Sequence, residues 1–187
     1  SVFTGFSLKW YRELFSSSTT MTALKNTLIL AVLSSVIATV IGTAAAVYIY
    51  YLRKKWWKNT LDIVTNIPMM NPDIVTGVSL MLLFVFVGRL VGAANSLSFI
   101  TLLIAHITFN LPYVILNVLP KLNQTDSHLV EAAQDLGSTP TEAFFRVILP
   151  AIMPGVTSGL LMAFTLSLDD FVISYYTTGS SFQTLPL

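Results

Sequence analysis

A long uncharged run of apolar residues most constrains what this chain can fold into. Residues 28–51 contain no charged side chain, and about 20 apolar residues in a helix suffice to cross the hydrocarbon core of a bilayer. Within the run, Ala38, Gly42 and Ala46 recur at four-residue spacing and share one helix face. Small residues on one face allow helices to pack closely in lipid. We therefore expect a membrane span that lies inside a helical bundle rather than a lone anchor.

The composition supports a membrane protein. Hydrophobic residues make up 54% of the 187 residues and charged residues 10%, whereas a soluble domain carries about 25% charge. The net charge of +1 argues against a nucleic-acid partner. The absence of cysteine excludes disulfides and thiolate metal sites. We predict an all-α membrane protein embedded in the lipid bilayer, with no metal and no cofactor.

Charged clusters divide the chain into spans and set their direction. Residues 53–58 (RKKWWK) place cations and tryptophans directly after the first apolar run, a pattern typical of the cytoplasmic membrane interface. The first span therefore runs inward, and counting crossings puts residues 121–153 in the cytoplasm as well. Residues 1–25 and 177–187 are then extracytoplasmic. The four expected spans of this single domain, residues 1–187, lie at about 26–51, 61–90, 97–119 and 154–176.

The first residues form a different kind of segment. Over residues 1–23, aromatic side chains such as Trp10 and Tyr11 alternate with charged ones such as Lys9 and Arg12. Aromatic rings are enriched at membrane–water interfaces, where they sit among the headgroups. We expect either an interfacial anchor or a flexible tail, and both alternatives stay open.

The second span is expected to be broken. Pro68 and Pro72 interrupt it, and Asn71 and Asp73 lie beside the second proline. Proline removes a backbone hydrogen bond and clashes with the preceding turn, so the helix should kink or unwind here. Transporters often bind their cargo at such breaks, and an acidic residue inside a span is a functional candidate by default. Asp73 as a cap of the following helix is an equally supported alternative.

Two adjacent carboxylates mark the end of the last span. Asp169 and Asp170 lie about 22 Å along the helix from Pro154, near the outer side of the membrane. Neighbouring aromatic residues, including Tyr175, provide faces that attract cations. Adjacent helical residues point about 100° apart, so at most one of the two aspartates faces a pathway directly. A polar helix end that meets headgroups or a docked protein is the alternative.

One histidine lies within the third span. His106 has no metal-ligating partner at usable spacing, since His128 falls in the loop. A hydrogen bond to a neighbouring helix is the favoured role for a polar side chain in a span. A proton relay is the alternative.

The polar stretch at residues 127–154 (SHLVEAAQDLGSTPTEAFFRVILPAIMP) predicts a helical hairpin. The first helix begins near Asp126 or Ser127, either of which can cap it, and ends at Gly137. In the second, Thr139 can bond the backbone N–H of Glu142 while the Glu142 side chain reaches back.

The sequence also predicts how this second helix ends. Pro150 should end it, because proline cannot continue the backbone hydrogen bonding, and Pro154 should begin the next span.

The hairpin carries a resemblance to a known family. Glu131-Ala132-Ala133, then Gly137, then Ile148-Leu149-Pro150 resemble the EAA loop of binding-protein-dependent (type I) ABC-importer permeases. An ordinary hairpin with a chance match is the alternative. The resemblance implies a cytoplasmic coupling helix that docks into a cleft of an ATPase subunit. The residues assigned to this loop are Glu131, Ala132, Ala133, Asp135, Gly137, Thr139, Glu142 and Pro150.

The same resemblance implies a fold. It is the type I ABC-importer transmembrane domain, the core of a five- to six-span bundle, with one span expected before Ser1 and one after Leu187. Further segments resemble the permeases of spermidine/putrescine importers, in particular their C-type subunit. These segments are residues 69–75 (MMNPDIV), 106–109 (HITF) with Leu111-Pro112, 166–172 (LSLDDFV), Gly179 and 184–187 (TLPL).

The implied function is ATP-driven import of polyamines by alternating access. The chain has no GxxxxGK[ST] phosphate loop, so we expect a partner to hydrolyse ATP and this chain not to be an enzyme. The implied partners are a dimer of ABC ATPase subunits, a second homologous permease and an extracytoplasmic polyamine-binding protein. The expected pathway residues are Asn71, Asp73, Asp169, Asp170 and Tyr175.

Three alternatives remain open at this point. The cargo of the same transporter class can be another small solute, such as ferric iron or thiamine. An intramembrane enzyme would use His106 with Asp73 or Asp169. A structural scaffold would show no ATP-dependent flux.

Overall fold

The computed structural model describes residues 16–52, 54–92, 97–126, 128–179 and 182–186, and these contain helices and no strands. The expected N-terminal anchor lies mostly outside the described residues. Arg53 of the cationic cluster and the alternative cap Ser127 also lie outside them.

The described helices follow one another with short connections. They are α1 (Ser18–Tyr51), α2 (Lys55–Met70), α3 (Asp73–Val91), α4 (Phe99–Gln124), α5 (His128–Asp135), α6 (Pro140–Ala143), a π-helical turn (Phe144–Ile148), α7 (Leu149–Asp169) and α8 (Val172–Thr177). Four helical stretches are long and apolar enough to cross a membrane. They are Ser18–Tyr51, Asp73–Val91, Phe99–Gln124 and Pro140–Asp169.

Small residues bring α1, α4 and α7 into close contact. Ala38 and Ala46 of α1 are fully buried and share one apolar cluster with Val114 and Val118 of α4. A Cβ at Gly42 would lie 2.7 Å from the Cγ1 atom of Val114, so only glycine fits at this crossing. The close packing expected from the four-residue spacing is confirmed.

Polar side chains tie the same three helices together. Asn110 of α4 donates from Nδ2 to Ser167 Oγ of α7 at 2.7 Å. Ser34 of α1 shares a hydrogen bond with the same hydroxyl at 3.0 Å. All three residues are buried, and such bonds between helices help to hold a bundle together where lipid offers no hydrogen-bonding partner.

The prediction that Pro150 ends the second hairpin helix is wrong. Helical structure continues from Pro140 to Asp169 through both Pro150 and Pro154. The cause is the π-helical turn, in which the backbone N–H of Leu149 bonds the carbonyl of Phe144. This wider turn shifts the hydrogen-bonding pattern directly before Pro150, where an N–H is missing.

Other helix bounds differ from those expected. α1 begins at Ser18, and α4 continues to Gln124 although Pro112 and Pro120 lie inside it. The expected break in the second span is confirmed, since α2 ends at Met70 and α3 begins at Asp73. The last span is also broken, because α7 ends at Asp169 and α8 begins only at Val172.

We predict that Gly155→Ala lowers the stability of the protein by about 1–3 kcal/mol, the usual cost of overpacking. The new Cβ would lie 2.7 Å from the carbonyl oxygen of Asn117, a backbone atom that cannot rotate away. Thermal unfolding of the protein in detergent measures the change. Gly159→Ala is the matched control, since its Cβ meets Val114 Cα at 3.3 Å. Equal melting temperatures for the two variants would contradict the close contact at Gly155.

Candidate functional site

The two helix breaks meet at one cavity. The N-terminus of α3 and the α7–α8 junction enclose a space of about 260 Å³. The sequence predicted Asp73 to lie beside a helix break and Asp169 and Asp170 to lie near the outer side of the membrane, and all three line this same space. Among the residues that the structure describes, the lining consists of Asp73, Phe109, Thr165, Leu166, Asp169, Asp170, Phe171 and Val172.

Asp73 lies both at a helix start and at the cavity, but it does not cap α3, because the N-cap is Pro72 and no side-chain cap hydrogen bond forms. It is the first residue of α3, directly after Pro72, so its negative charge lies at the positive end of the helix dipole. Its side chain is also exposed and lines the cavity. The carboxylate is therefore favourably placed for the helix and accessible to a ligand.

The adjacent aspartates have different environments. Asp169, the last residue of α7, is exposed at the cavity. The Asp170 side chain is only 7% exposed. It accepts hydrogen bonds from the backbone N–H groups of Ile173 at 3.2 Å and Ser174 at 2.8 Å. Asp170 thus caps α8, and Asp169 is the more accessible carboxylate.

His106 lies behind this junction. Its ring is buried, with Nδ1 2.9 Å from the Leu102 carbonyl oxygen of its own helix and Nε2 3.5 Å from Asp170 Oδ2. The expected hydrogen bond to a neighbouring helix is therefore not formed; the group that faces Nε2 is the Asp170 carboxylate, and the two form an ion pair only when the ring is protonated. Among the residues that the structure describes, no group of three metal-ligating side chains is close enough to hold an ion.

The remaining predicted pathway residues lie beside the cavity rather than in its lining. Tyr175 is 60% exposed, and its ring centroid is 5.8 Å from that of Phe171, which lines the cavity. Asn71 is exposed at the C-terminal end of α2. Sequence reasoning did not assign Phe109 to the pathway, although residues 106–109 were among the segments that carry the family resemblance.

The hairpin begins as the sequence predicts. Asp126 Oδ1 accepts the backbone N–H of His128 at 2.9 Å at the start of α5. After α5, Gly137 has φ +88°, a left-handed conformation that favours glycine. Its N–H bonds the carbonyl of Gln134 at 2.8 Å and closes the helix end. The predicted stop at Gly137 is confirmed.

The second half of the hairpin begins with the predicted reciprocal cap. Glu142 N–H donates to Thr139 Oγ1 at 3.3 Å, and Thr139 N–H donates to Glu142 Oε2 at 3.0 Å. Pro140 occupies the first turn, where its missing N–H costs nothing. Pro150 lies further on, exposed within the continuous helix.

The hairpin tip is an exposed surface of mixed character. Glu131, Ala132 and Asp135 are exposed, whereas Ala133 is buried against the rest of the hairpin. Leu136, which sequence reasoning missed, is 88% exposed at the turn. Carboxylates around an exposed leucine suit a protein partner better than lipid.

The base of the hairpin rests on the inner ends of the spans. A cavity of about 240 Å³ separates Glu131 and Val130 of α5 from Tyr50 of α1 and Leu122 of α4. Val130 also packs against the apolar cluster that contains Ile49. A displacement of the hairpin would therefore act directly on the ends of α1 and α4.

Comparison with known proteins bears on both sites. Residues 38–187 match the family described as the inner membrane component of binding-protein-dependent transport systems. This match includes α3, the hairpin and the α7–α8 junction.

Three relatives cover nearly the whole chain. The spermidine/putrescine transport system permease protein PotC of Haemophilus influenzae is 42% identical over 98% of this chain, and its Escherichia coli counterpart is 40% identical over 98%. The putrescine transport system permease protein PotI of Escherichia coli is 38% identical over 100%. The chain spans 68%, 67% and 66% of these proteins respectively, or about two thirds of their length.

We predict that His128 titrates above its ordinary pKa of 6.5, because the Glu131 carboxylate accepts a hydrogen bond from its ring at 3.2 Å and favours the charged form. The charged ring paired with the carboxylate therefore stabilises α5 just below the ordinary pKa of 6.5, and this contribution is lost as pH rises through the raised pKa of His128. NMR titration of histidine-labelled protein tests this, since His106 is the only other histidine. Glu131→Gln should lower the pKa of His128, and an unchanged pKa would contradict the pairing.

Proposed function

The chain belongs to the family of inner membrane components of binding-protein-dependent transport systems, and we propose that it carries polyamines inward across the cytoplasmic membrane. It is a multi-pass permease subunit and is not itself catalytic. The observation that carries the polyamine proposal is the cavity where Asp73 and Asp169 meet at two helix breaks. The relatives named for spermidine and putrescine support it.

The chemistry of the cavity suits an organic polycation. Two unit charges 4 Å apart interact by about 4 kcal/mol at an effective dielectric of 20, so each accessible carboxylate can offset part of the cost of dehydrating an ammonium group. Phe109 and Phe171 line the same space and offer aromatic faces to a cation. Carboxylates alone would also suit a metal ion, but the aromatic walls favour an alkylammonium chain.

The hairpin is the proposed site of coupling. Membership of the family implies a solute-binding protein and an ATPase as partners. We assign the exposed hairpin tip, with Glu131, Asp135 and Gly137, to a cleft of the ATPase dimer. A second, homologous permease would complete the pathway, and a polyamine-binding protein would deliver cargo at the outer side.

Alternating access follows from this arrangement. When the ATPase subunits close, they move the hairpin, and α4 and α7 transmit that movement to the cavity. His106, the residue that an intramembrane enzyme would have used, is instead buried against Asp170. This position supports a transport role for the cavity rather than a hydrolytic one.

We predict that Asp73→Asn and Asp169→Asn each raise the KM for spermidine uptake by about tenfold, because each removes one accessible charge worth on the order of 1.4 kcal/mol of cargo binding. The measurement is ATP-dependent uptake by the whole transporter reconstituted in vesicles with its binding protein.

Thr108→Val is the matched control for these variants. Thr108 is exposed on α4, donates to the Ile104 carbonyl of its own helix and is not among the residues that line either cavity. Unchanged KM values for both aspartate variants, with active uptake, would show that cargo does not use this cavity.

We predict that Gly137→Val uncouples transport from ATP hydrolysis while the protein still inserts. A Cβ here meets nothing within 4 Å, so the only cost is backbone strain at φ +88°, which for a β-branched residue is severe. The ratio of cargo imported to ATP hydrolysed measures coupling. Gly137→Asn, which tolerates this conformation better, should retain more of it. Normal coupling in the valine variant would count against the role of the hairpin.

A further inference from the structure

His106 has no place in the proposed pathway, yet it is the buried side chain that pairs with the α7–α8 junction. The ring is 1% exposed and is absent from the cavity lining. Its Nε2 atom lies 3.5 Å from Asp170 Oδ2, and the Asp170 side chain is itself 7% exposed. This contact is shielded from water and lies next to the cavity, and the proposed pathway assigns it no role.

The geometry fixes the protonation state in which this contact is attractive. The Leu102 carbonyl, 2.9 Å from Nδ1, can only accept a hydrogen bond, so Nδ1 carries a hydrogen. In a neutral ring, Nε2 would then present a lone pair to the carboxylate and repel it. The contact is therefore an ion pair only when the imidazole holds both protons.

Asp170 uses its other contacts to hold the helix break. Its two oxygens accept the N–H groups of Ile173 and Ser174, two donors in the first turn of α8 that have no acceptor within the helix. A buried N–H group without a hydrogen-bond partner is costly, so this cap stabilises the break in the chain. A doubly protonated His106 would balance the buried charge that the cap requires.

The break in turn places Asp169. Asp169 ends α7, and Asp170 has extended backbone dihedrals, with φ −72° and ψ 113°. If the helix continued instead, Asp169 would be followed by another helical turn and its position at the cavity would change. The direction of the Asp169 carboxylate therefore depends on a contact made by its neighbour.

We propose that His106 is a positioning residue for cargo: through its ion pair with Asp170 it holds the break that presents Asp169 to the cavity. This inference rests on the proposed function, since it assigns the cavity to cargo. His106 acts through Asp170 and Asp169 and does not contact cargo itself.

Kinetics of the reconstituted transporter, with its ATPase, partner permease and binding protein, test the chain of contacts. Putrescine and spermidine are the probes. His106→Gln keeps a donor near Asp170 but loses the charge, and His106→Leu loses both. Asp170→Asn loses the charge from the other side and keeps a side chain that caps helices well.

We expect His106→Gln and Asp170→Asn each to raise KM about fivefold, with the larger rise in His106→Leu. The KM of the double variant His106→Gln/Asp170→Asn should be no higher than that of the single variants, because each substitution removes the same pair. In an Asp169→Asn background, His106→Gln should raise KM no further.

A purely structural histidine would behave differently. Replacing it would lower the melting temperature and the amount of transporter, while the folded fraction kept its KM. That result overturns the proposal. Additive effects on KM in the variant that combines His106→Gln with Asp170→Asn overturn it as well. If His106→Leu does not fold, Asp170→Asn still decides between these outcomes. Failure of the proposed function is separate, because Asp169→Asn alone would then leave KM unchanged.

Discussion

The structure depends on satisfying the backbone hydrogen-bonding groups wherever a helix of the bundle is broken. Lipid offers no hydrogen-bonding partner, so a break survives only if the protein supplies one. At the α2–α3 break, the carbonyl of Pro72 accepts the N–H groups of Val75 and Thr76 at 2.9 and 3.3 Å. At the α7–α8 break, the Asp170 carboxylate accepts the N–H groups instead. Both helix breaks place a carboxylate at the same cavity.

The two candidate sites are joined by one element. Helical structure runs without interruption from Pro140, just after the hairpin turn, to Asp169 at the cavity. At 1.5 Å per residue such a helix is about 45 Å long, enough to cross the bilayer. Along its length it is held to α4 and α1 by Ser167, Gly155 and Gly159. Movement at the hairpin therefore reaches the cavity through covalent structure and not only through packing.

Local features of this protein could be predicted from its sequence, and features that depend on distant contacts could not. The cap formed by Thr139 and Glu142 and the stop at Gly137 involve neighbours in the chain, and both were predicted. The break beside Pro72 was predicted because proline interrupts the hydrogen bonding of a helix. The break after Asp169 was missed, since no proline or glycine marks it and the Asp170 side chain that caps α8 faces His106 of another helix. The meeting of Asp73 with Asp169 depends on how α3 packs against α8, which no local pattern encodes.

The π-helical turn at Phe144–Ile148 sets an angle as well as a hydrogen-bonding pattern. A wider turn accommodates one residue more than an α-helix would, and each helical residue advances the chain by about 100° around the axis. The one extra residue therefore sets the angle, about the helix axis, between the hairpin and the Asp169 carboxylate. In a homologue without this extra residue, the same side chains would be present, but the Asp169 carboxylate would be rotated toward a different neighbouring helix.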